Sequence, residues 1–466
     1  MSTPAVQRIS ECFLKPLHPI EDRNQIYHLT PCDITLLSMN YIQKGLLFKK
    51  PSIANNQQDF IQNLLGKMKH SLSLALNHFY PLAGRFVTNK TQDPPSYVVS
   101  IDCKNSCGAS FIYSTLDMTI CDILSPIDSP PIVHSLFDHD KDVVNHDGHT
   151  MPLLAIQVTE LVDGVFVGCS MNHSVGDGTS FWNFFNTWSE IFQFQTQEHH
   201  HEHVIDVPIS RQPVLYRWFP KGCSPPINLP FKHHDEFIRR FEPPKLRERI
   251  FHFTAESIAK LKTKANMESS TIKISSFQSL AAHVWRCITR ARRALYTEST
   301  TCLLVANSRS RMEPPLPQEY FGNCIKSVRT GATAGELDQH GLGWAAWKFH
   351  MAVTNLNDEA IKQAAKDWLQ SPTVYQTGER YDQYTLLFTS SPRFNMYGNE
   401  FGMGKAVAVL SGSAFKFDGK VASYQGYEGR GTIDLEVCLL PETMRMLESD
   451  NEFMSTVSSF KSNNFY

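Results

Sequence analysis

Residues 153–192 read LLAIQVTELVDGVFVGCSMNHSVGDGTSFWNFFNTWSEIF. Three patterns follow one another in this stretch. Residues 153–161 alternate apolar and polar side chains, the period of a half-buried strand. Val162-Asp163-Gly164 carries the Asp-Gly signal of a tight hairpin. On the return strand, 165–173, the two-residue period places Val165, Val167, Cys169, Met171 and His173 on one face. Phe181, Phe184, Phe185, Trp188, Ile191 and Phe192 then recur at helical spacing, with Thr179 or Ser180 as the expected N-cap. A histidine therefore stands where a strand ends, in a short glycine-containing loop before a helix. Catalytic side chains are often carried on such loops, held by a rigid scaffold.

Working outward, residues 71–86 begin as an apolar-periodic helix and stop at Pro81 and Gly84. Downstream, 275–293 reads as a helix, and 302–307, 406–410 and 432–440 read as strands. Residues 441–447 open a last helix. Strands and helices mix in both halves, so the class is α/β, or mixed α+β. Between the halves, 194–230 is polar and carries prolines at 208, 213, 220, 225, 226 and 230. Such sequence cannot hold regular structure and reads as a crossing linker. The expected layout is an N-terminal domain at 1–195, a linker at 196–230 and a C-terminal domain at 231–466. The histidine run 199–203 falls in that linker, with no cysteine beside it, and reads as solvated loop rather than a metal site.

At 466 residues the chain exceeds one ordinary core. Its formal net charge of -2 supplies no basic face, so nucleic acid is not an expected partner. No apolar run is long enough to span a bilayer, and no secretory or retention signal is seen, so a cytoplasmic protein is expected. Eleven cysteines, odd in number and scattered, read as reduced thiols rather than a disulfide scaffold. Cys103 and Cys107 form a C-x3-C pair with no second half, so no metal site is assigned.

The loop His173-Ser174-Val175-Gly176-Asp177 has the spacing H-x-x-x-D. The spacing alone says little, since His18…Asp22 and His134…Asp138 match it too. Neither of those has a strand before it or a glycine loop and helix after it, and both read as surface coincidences. A neutral imidazole has the pKa to take the proton of an attacking hydroxyl or amine near neutral pH. No G-x-S-x-G nucleophile elbow is present, which agrees with a chemistry that needs no acyl-enzyme. Gly176 and Gly178 oppose a helical turn, so His173 and Asp177 need not meet, and Asp177 is expected to hold the loop by pairing with an arginine. Gly402-x-Gly404 lacks the third glycine of a dinucleotide fingerprint.

Several further motifs stand in order along the chain: Leu29-Thr30-Pro31-Cys32-Asp33, Phe79-Tyr80-Pro81-Leu82-Ala83-Gly84-Arg85, Ala282-His283-Val284-Trp285-Arg286, Asn307-Ser308-Arg309-Ser310-Arg311, Tyr320-Phe321-Gly322-Asn323 and Phe401-Gly402-Met403-Gly404-Lys405. With His173…Asp177, this series resembles the BAHD acyltransferases over nearly the whole length. The resemblance implies two chloramphenicol acetyltransferase-like domains with a channel between them and His173 at its middle as general base. It implies a monomer that takes an acyl-CoA as co-substrate, holds no permanent cofactor, and acylates a hydroxyl or amine of a small plant metabolite. Asp177 is expected to face away from substrate and pair with Arg309, or failing that Arg311, the two lying on one face of a strand. The family's second motif, usually Asp-Phe-Gly-Trp-Gly, reads Glu400-Phe401-Gly402-Met403-Gly404 here, and its expected role is structural. Thr389, Ser391 and Arg393 correspond to a stretch lining the acceptor side, and Arg393 suggests a substrate bearing a carboxylate. Two alternatives remain open: a lyase or isomerase acting on an acidic conjugate, which residues 41–48 and 390–394 resemble, and a non-catalytic relative.

Overall fold

The computed structural model describes residues 4–458, apart from 20, 22–24, 52–56, 106, 140, 141, 198–206 and 430. The histidine run at 199–203 lies outside the described residues.

The hairpin read from 153–173 pairs Leu154–Glu160 (β7) with Gly164–Met171 (β8) in antiparallel register, Leu154 opposite Met171. Every residue of β8 is buried, because the strand has a neighbour on each edge and cover on each face. Those neighbours are β7 and Ile42–Lys49 (β3). Gln7–Leu14 (β1) and Ala109–Thr115 (β6) complete one side of the sheet, in the order β1-β6-β7-β8-β3-β13. The last member, Ala408–Ser411 (β13), comes from the far half of the chain and pairs antiparallel with β3.

The second sheet has the order β11-β10-β12-β14-β15-β9. Its strands are Arg247–Phe253 (β9), Ser299–Asn307 (β10), Ile325–Thr333 (β11), Thr385–Ser390 (β12), Lys420–Gln425 (β14) and Ile433–Leu439 (β15). A small third sheet joins Ile26–His28 (β2), Arg85–Gln92 (β4) and Pro95–Asp102 (β5).

Three helices matter most for the cores. Gln57–His78 (α1) starts well before residue 71 and ends in a 3-10 turn at Tyr80–Ala83, where Pro81 removes a backbone donor. Gly178–Gln197 (α2) packs its aromatic stripe against α1. Ser276–Ala291 (α3) carries the apolar face that fills the second core, with Trp285 fully buried. Ser275 caps it, and Gln278 returns a bond to Ser275 N–H, a capping box that fixes the start of the helix. The first core is not confined to the first half: Phe321, Phe401, Met403 and Val409 belong to it.

Residues 207–230 form no strand or helix and touch the rest through isolated bridges, Val214 with Tyr320 and Leu229 with Tyr97. Their path is nonetheless anchored. The Arg217 side chain, 8% exposed, ion-pairs with Asp33, lies 4.6 Å from the Tyr27 ring centre and donates to the carbonyls of His28 and Phe321.

Candidate active site

His173 follows β8 by two residues, and asparagines fix its main chain from three directions. Asn145 Oδ1 accepts from His173 N–H at 2.7 Å, while Asn172 donates to the Asn145 carbonyl at 2.8 Å. Asn172 Oδ1 also accepts from Ser174 N–H, an Asx-type turn that lifts the chain out of the strand. Asn323 Nδ2 donates to the His173 carbonyl at 2.7 Å. Asn323 is itself held by Asp33 Oδ1, which accepts from both its N–H and its Nδ2. Asp33 is the partner of Arg217, so the linker reaches the histidine loop through two intermediaries.

The imidazole Nδ1 is sealed from solvent and makes no hydrogen bond among the described residues. Burial lowers the pKa of His173, and its own main chain, the Asp177 charge and Asn323 offset this only in part. The ring is therefore neutral at pH 7, with Nε2 as the nitrogen open to a reactant. His173 stands on the wall of a cavity of about 780 Å³ that both large sheets line: Ile42 and Lys44 come from the first, Thr389 and Lys420 from the second.

Asp177 turns away from this cavity. It and Arg309 are both fully buried, with bonds of 2.7 Å from Nη1 to Oδ2 and 3.0 Å from Nη2 to Oδ1. Oδ2 also accepts from Cys324 N–H. Burial alone would raise the carboxyl pKa, but Arg309 and the N–H donors outweigh it and hold it below the ordinary value. Oδ1 accepts from the N–H groups of Thr179 and Ser180. The N-cap of α2 is thus Asp177, not Thr179 or Ser180; the carboxylate reaches the free donors of the first turn and the hydroxyl residues fall inside the helix. A second correction concerns Arg309 and Arg311. They do not share a strand face, because β10 ends at Asn307 and Arg309–Arg311 is a 3-10 turn. Three residues per turn send positions two apart in different directions. Arg311 accordingly donates to the carbonyls of Val353 and Leu356 and lines the cavity.

Thr389, Ser391 and Arg393 all line the cavity. Ser390 between them has φ +63°, a left-handed turn that ends β12. Arg393 is exposed at the rim and has no acidic partner among the described residues. Glu400, Phe401, Gly402, Met403 and Gly404 do not line the cavity. Phe401 is fully buried among Phe48, Phe185, Trp188 and Phe192, its ring centre 4.6 Å from that of Trp188. Gly402 and Gly404 have φ of +72° and +75°, where a side chain is strained.

The sequence reading left Asn145, Arg217, Lys44 and Lys420 without a role. Asp33 and Asn323 were also left without a role, although both stand inside motifs of the ordered series. Arg217 had no such signal, being one cation in a proline-rich stretch.

Two mixed sheet-and-helix halves that share one cavity, with a histidine on its wall and an Asp–Arg pair behind, form the fold of coenzyme A-dependent acyltransferases. Vinorine synthase matches it with a TM-score of 0.73 at 20% identity, over 97% of this chain and 99% of that one. TRI101 of F. sporotrichioides, solved with coenzyme A and T-2, matches with a TM-score of 0.71 at 17% identity, over 93% and 99%. The family model described as "Transferase family" matches residues 5–454. Two proteins of Arabidopsis thaliana are similar throughout. An uncharacterised acetyltransferase is 36% identical, over 96% of this chain and 98% of its own. The BAHD acyltransferase DCR is 32% identical, over 96% and 92%. The chain belongs to the BAHD acyltransferase family.

No helix among the described residues is long and apolar enough to cross a membrane.

Proposed function

We propose that the protein transfers an acyl group from a coenzyme A thioester to a hydroxyl or amine of a small acceptor, with His173 as general base. The observation that carries this reading is the neutral imidazole of His173 on the wall of a cavity shared by both sheets. Nε2 takes the acceptor proton as the oxygen or nitrogen attacks the thioester carbonyl. The coenzyme leaves as a thiolate, so the step needs no enzyme nucleophile. Asp177 and Arg309 hold the loop and do not touch the reacting atoms. Thr389, Ser391 and Arg393 contact the acceptor. Family membership and the coenzyme A bound in TRI101 support the choice of donor.

The test is a panel of acyl-CoAs and acceptors offered to the purified protein, with products read by mass spectrometry. Transfer by the wild type and its loss in His173→Ala are expected; no transfer across a broad panel would overturn the reading. One observation favours a lyase or isomerase acting on an acidic conjugate. No Asp or Glu among the described residues lines the cavity, although several Lys and Arg do. Turnover of such a conjugate without any thioester would identify that case.

A further inference from the structure

Where β3 and β13 of the first sheet meet β14 of the second, three lysines are buried together. Lys44, Lys416 and Lys420 are 9%, 4% and 6% exposed. Buried ammonium groups are tolerated when a carboxylate faces each of them. Here two carboxylates, Glu248 and Glu436, serve all three, and Lys416 holds both by ion pairs. The Lys416 ammonium also fills the space that Glu248, Glu436 and Cys438 would offer a metal ion. His134 is the other basic group at Glu248. Tyr424 Oη and Ser411 Oγ donate to Glu436. Burial pushes the Cys438 thiol up to about 12, so it brings no charge.

Lys44 therefore reaches Glu436 only through Tyr424: its Nζ donates to Tyr424 Oη at 2.6 Å. Lys420 has less. Among the described residues its Nζ makes no hydrogen bond or ion pair; it lies 5.0 Å from the Phe415 ring centre, and Lys416, Glu436 and Glu248 act on its charge without bonding it. Unlike Lys416, both Lys44 and Lys420 line the cavity. Two buried cations thus open into one cavity, their acidic partners already taken by Lys416, with no acidic residue among the described lining residues. On β3, Lys44 stands opposite Cys169, four residues before His173 on the neighbouring strand line, or about 13 Å along the sheet.

We infer that Lys44 and Lys420 form a receptor for a substrate carboxylate, in the same cavity as His173 but at a distance from it. The inference rests on the transferase reading for the placement of the reacting group, but not for the anion site itself. The carboxylate belongs either to the acceptor or to the acyl group of the donor; the chemistry recognised is the same. Burial takes Lys44 down to about 7 and Lys420 down to about 8. Near pH 8 the empty site is thus partly neutral, and a bound carboxylate draws protons in.

The experiment uses matched probes on the full chain: 4-(hydroxymethyl)benzoate against its methyl ester as acceptors, and malonyl- against acetyl-coenzyme A as donors. The quantity compared is the acid-to-neutral ratio of kcat/KM within each pair, in wild type, Lys420→Met, Lys420→Arg and Lys44→Met. In one of the pairs the wild type should prefer the acid, and Lys420→Met should lower that ratio about 10- to 100-fold. Lys420→Arg should restore part of it. The pair that responds names the source of the carboxylate. Calorimetry of the same ligands at pH 8, in two buffers of different ionisation enthalpy, should show proton uptake that Lys420→Met abolishes. This arm stands even if none of the probes is turned over, an outcome that counts against the transferase reading alone. A purely structural lysine cluster would instead lower the melting temperature and reduce both members of a pair equally. That result, a ratio unchanged by substitution, or no preference for acid in wild-type turnover or binding would overturn the inference.

Discussion

His173 combines a fixed backbone with a half-buried imidazole whose Nδ1 is sealed from water. Its burial depresses the pKa, so the neutral form persists to lower pH than in a free histidine. If it is the base, kcat/KM should be level around pH 7 and fall as the pH drops through a value below 6.5. An acid limb at or above 6.5 would contradict the burial argument. His173→Ala should lower the rate by roughly two to four orders of magnitude, with coenzyme A thioester binding little changed; wild-type turnover in that variant would remove the base. Asn323→Ala tests positioning. Its Nδ2 bond to the His173 carbonyl is part-buried, and losing it lets the loop drift. We expect kcat to fall by more than KM rises, with the melting temperature lowered only slightly. The sequence made His173 legible because strand, glycine loop and helix are local patterns. It did not make Lys44 or Lys420 legible, because nothing local says that a lysine in a strand will be buried without a carboxylate.

Asp177 belongs to the scale of elements. The same carboxylate caps α2, pairs with Arg309 and accepts from Cys324 N–H, so it ties the helix to the start of β11. Asp177→Ala should cost about 3–5 kcal/mol, the usual loss when one partner of a fully buried ion pair is removed. Asp177→Asn keeps a capping oxygen and should melt between the two. A variant that melts like wild type yet is inactive would give Asp177 a direct chemical part. Phe401→Ala should likewise cost about 3–5 kcal/mol through the cavity it leaves among four aromatic rings; thermal unfolding measures this, and unchanged stability would remove the motif from the core. Periodicity located the β7–β8 hairpin, the aromatic stripe of α2 and α3. It placed the cap at Thr179 or Ser180 and passed over Asp177, since all three side chains can accept from backbone N–H. Nor could it foresee that the chain after Asn307 tightens into a 3-10 turn.

At the scale of the whole molecule, composition and proline spacing pointed to two halves and a crossing segment. The exchange between halves stayed hidden, because strand pairing across several hundred residues leaves no local trace. β13 completes the first sheet, Phe321 and Phe401 enter the first core, and Arg217 of the crossing segment holds Asp33. Residues 1–206 expressed alone should therefore be insoluble or lack a cooperative thermal transition, and co-expression with 207–466 should recover soluble protein. A soluble, cooperatively melting 1–206 fragment would show that the exchange is dispensable. The position of β13 also bears on how the chain is made. Lys49 leaves the ribosome roughly 360 residues before Ala408, a delay of roughly 20–70 s at usual rates of synthesis. During that time one edge of β3, rich in leucine and phenylalanine, has no strand to cap it. An unpaired edge of that kind is a template for pairing between nascent chains on neighbouring ribosomes. Soluble yield of this protein should therefore rise with holdase chaperone capacity during translation, and an unchanged yield on chaperone co-expression would show that the open edge is harmless.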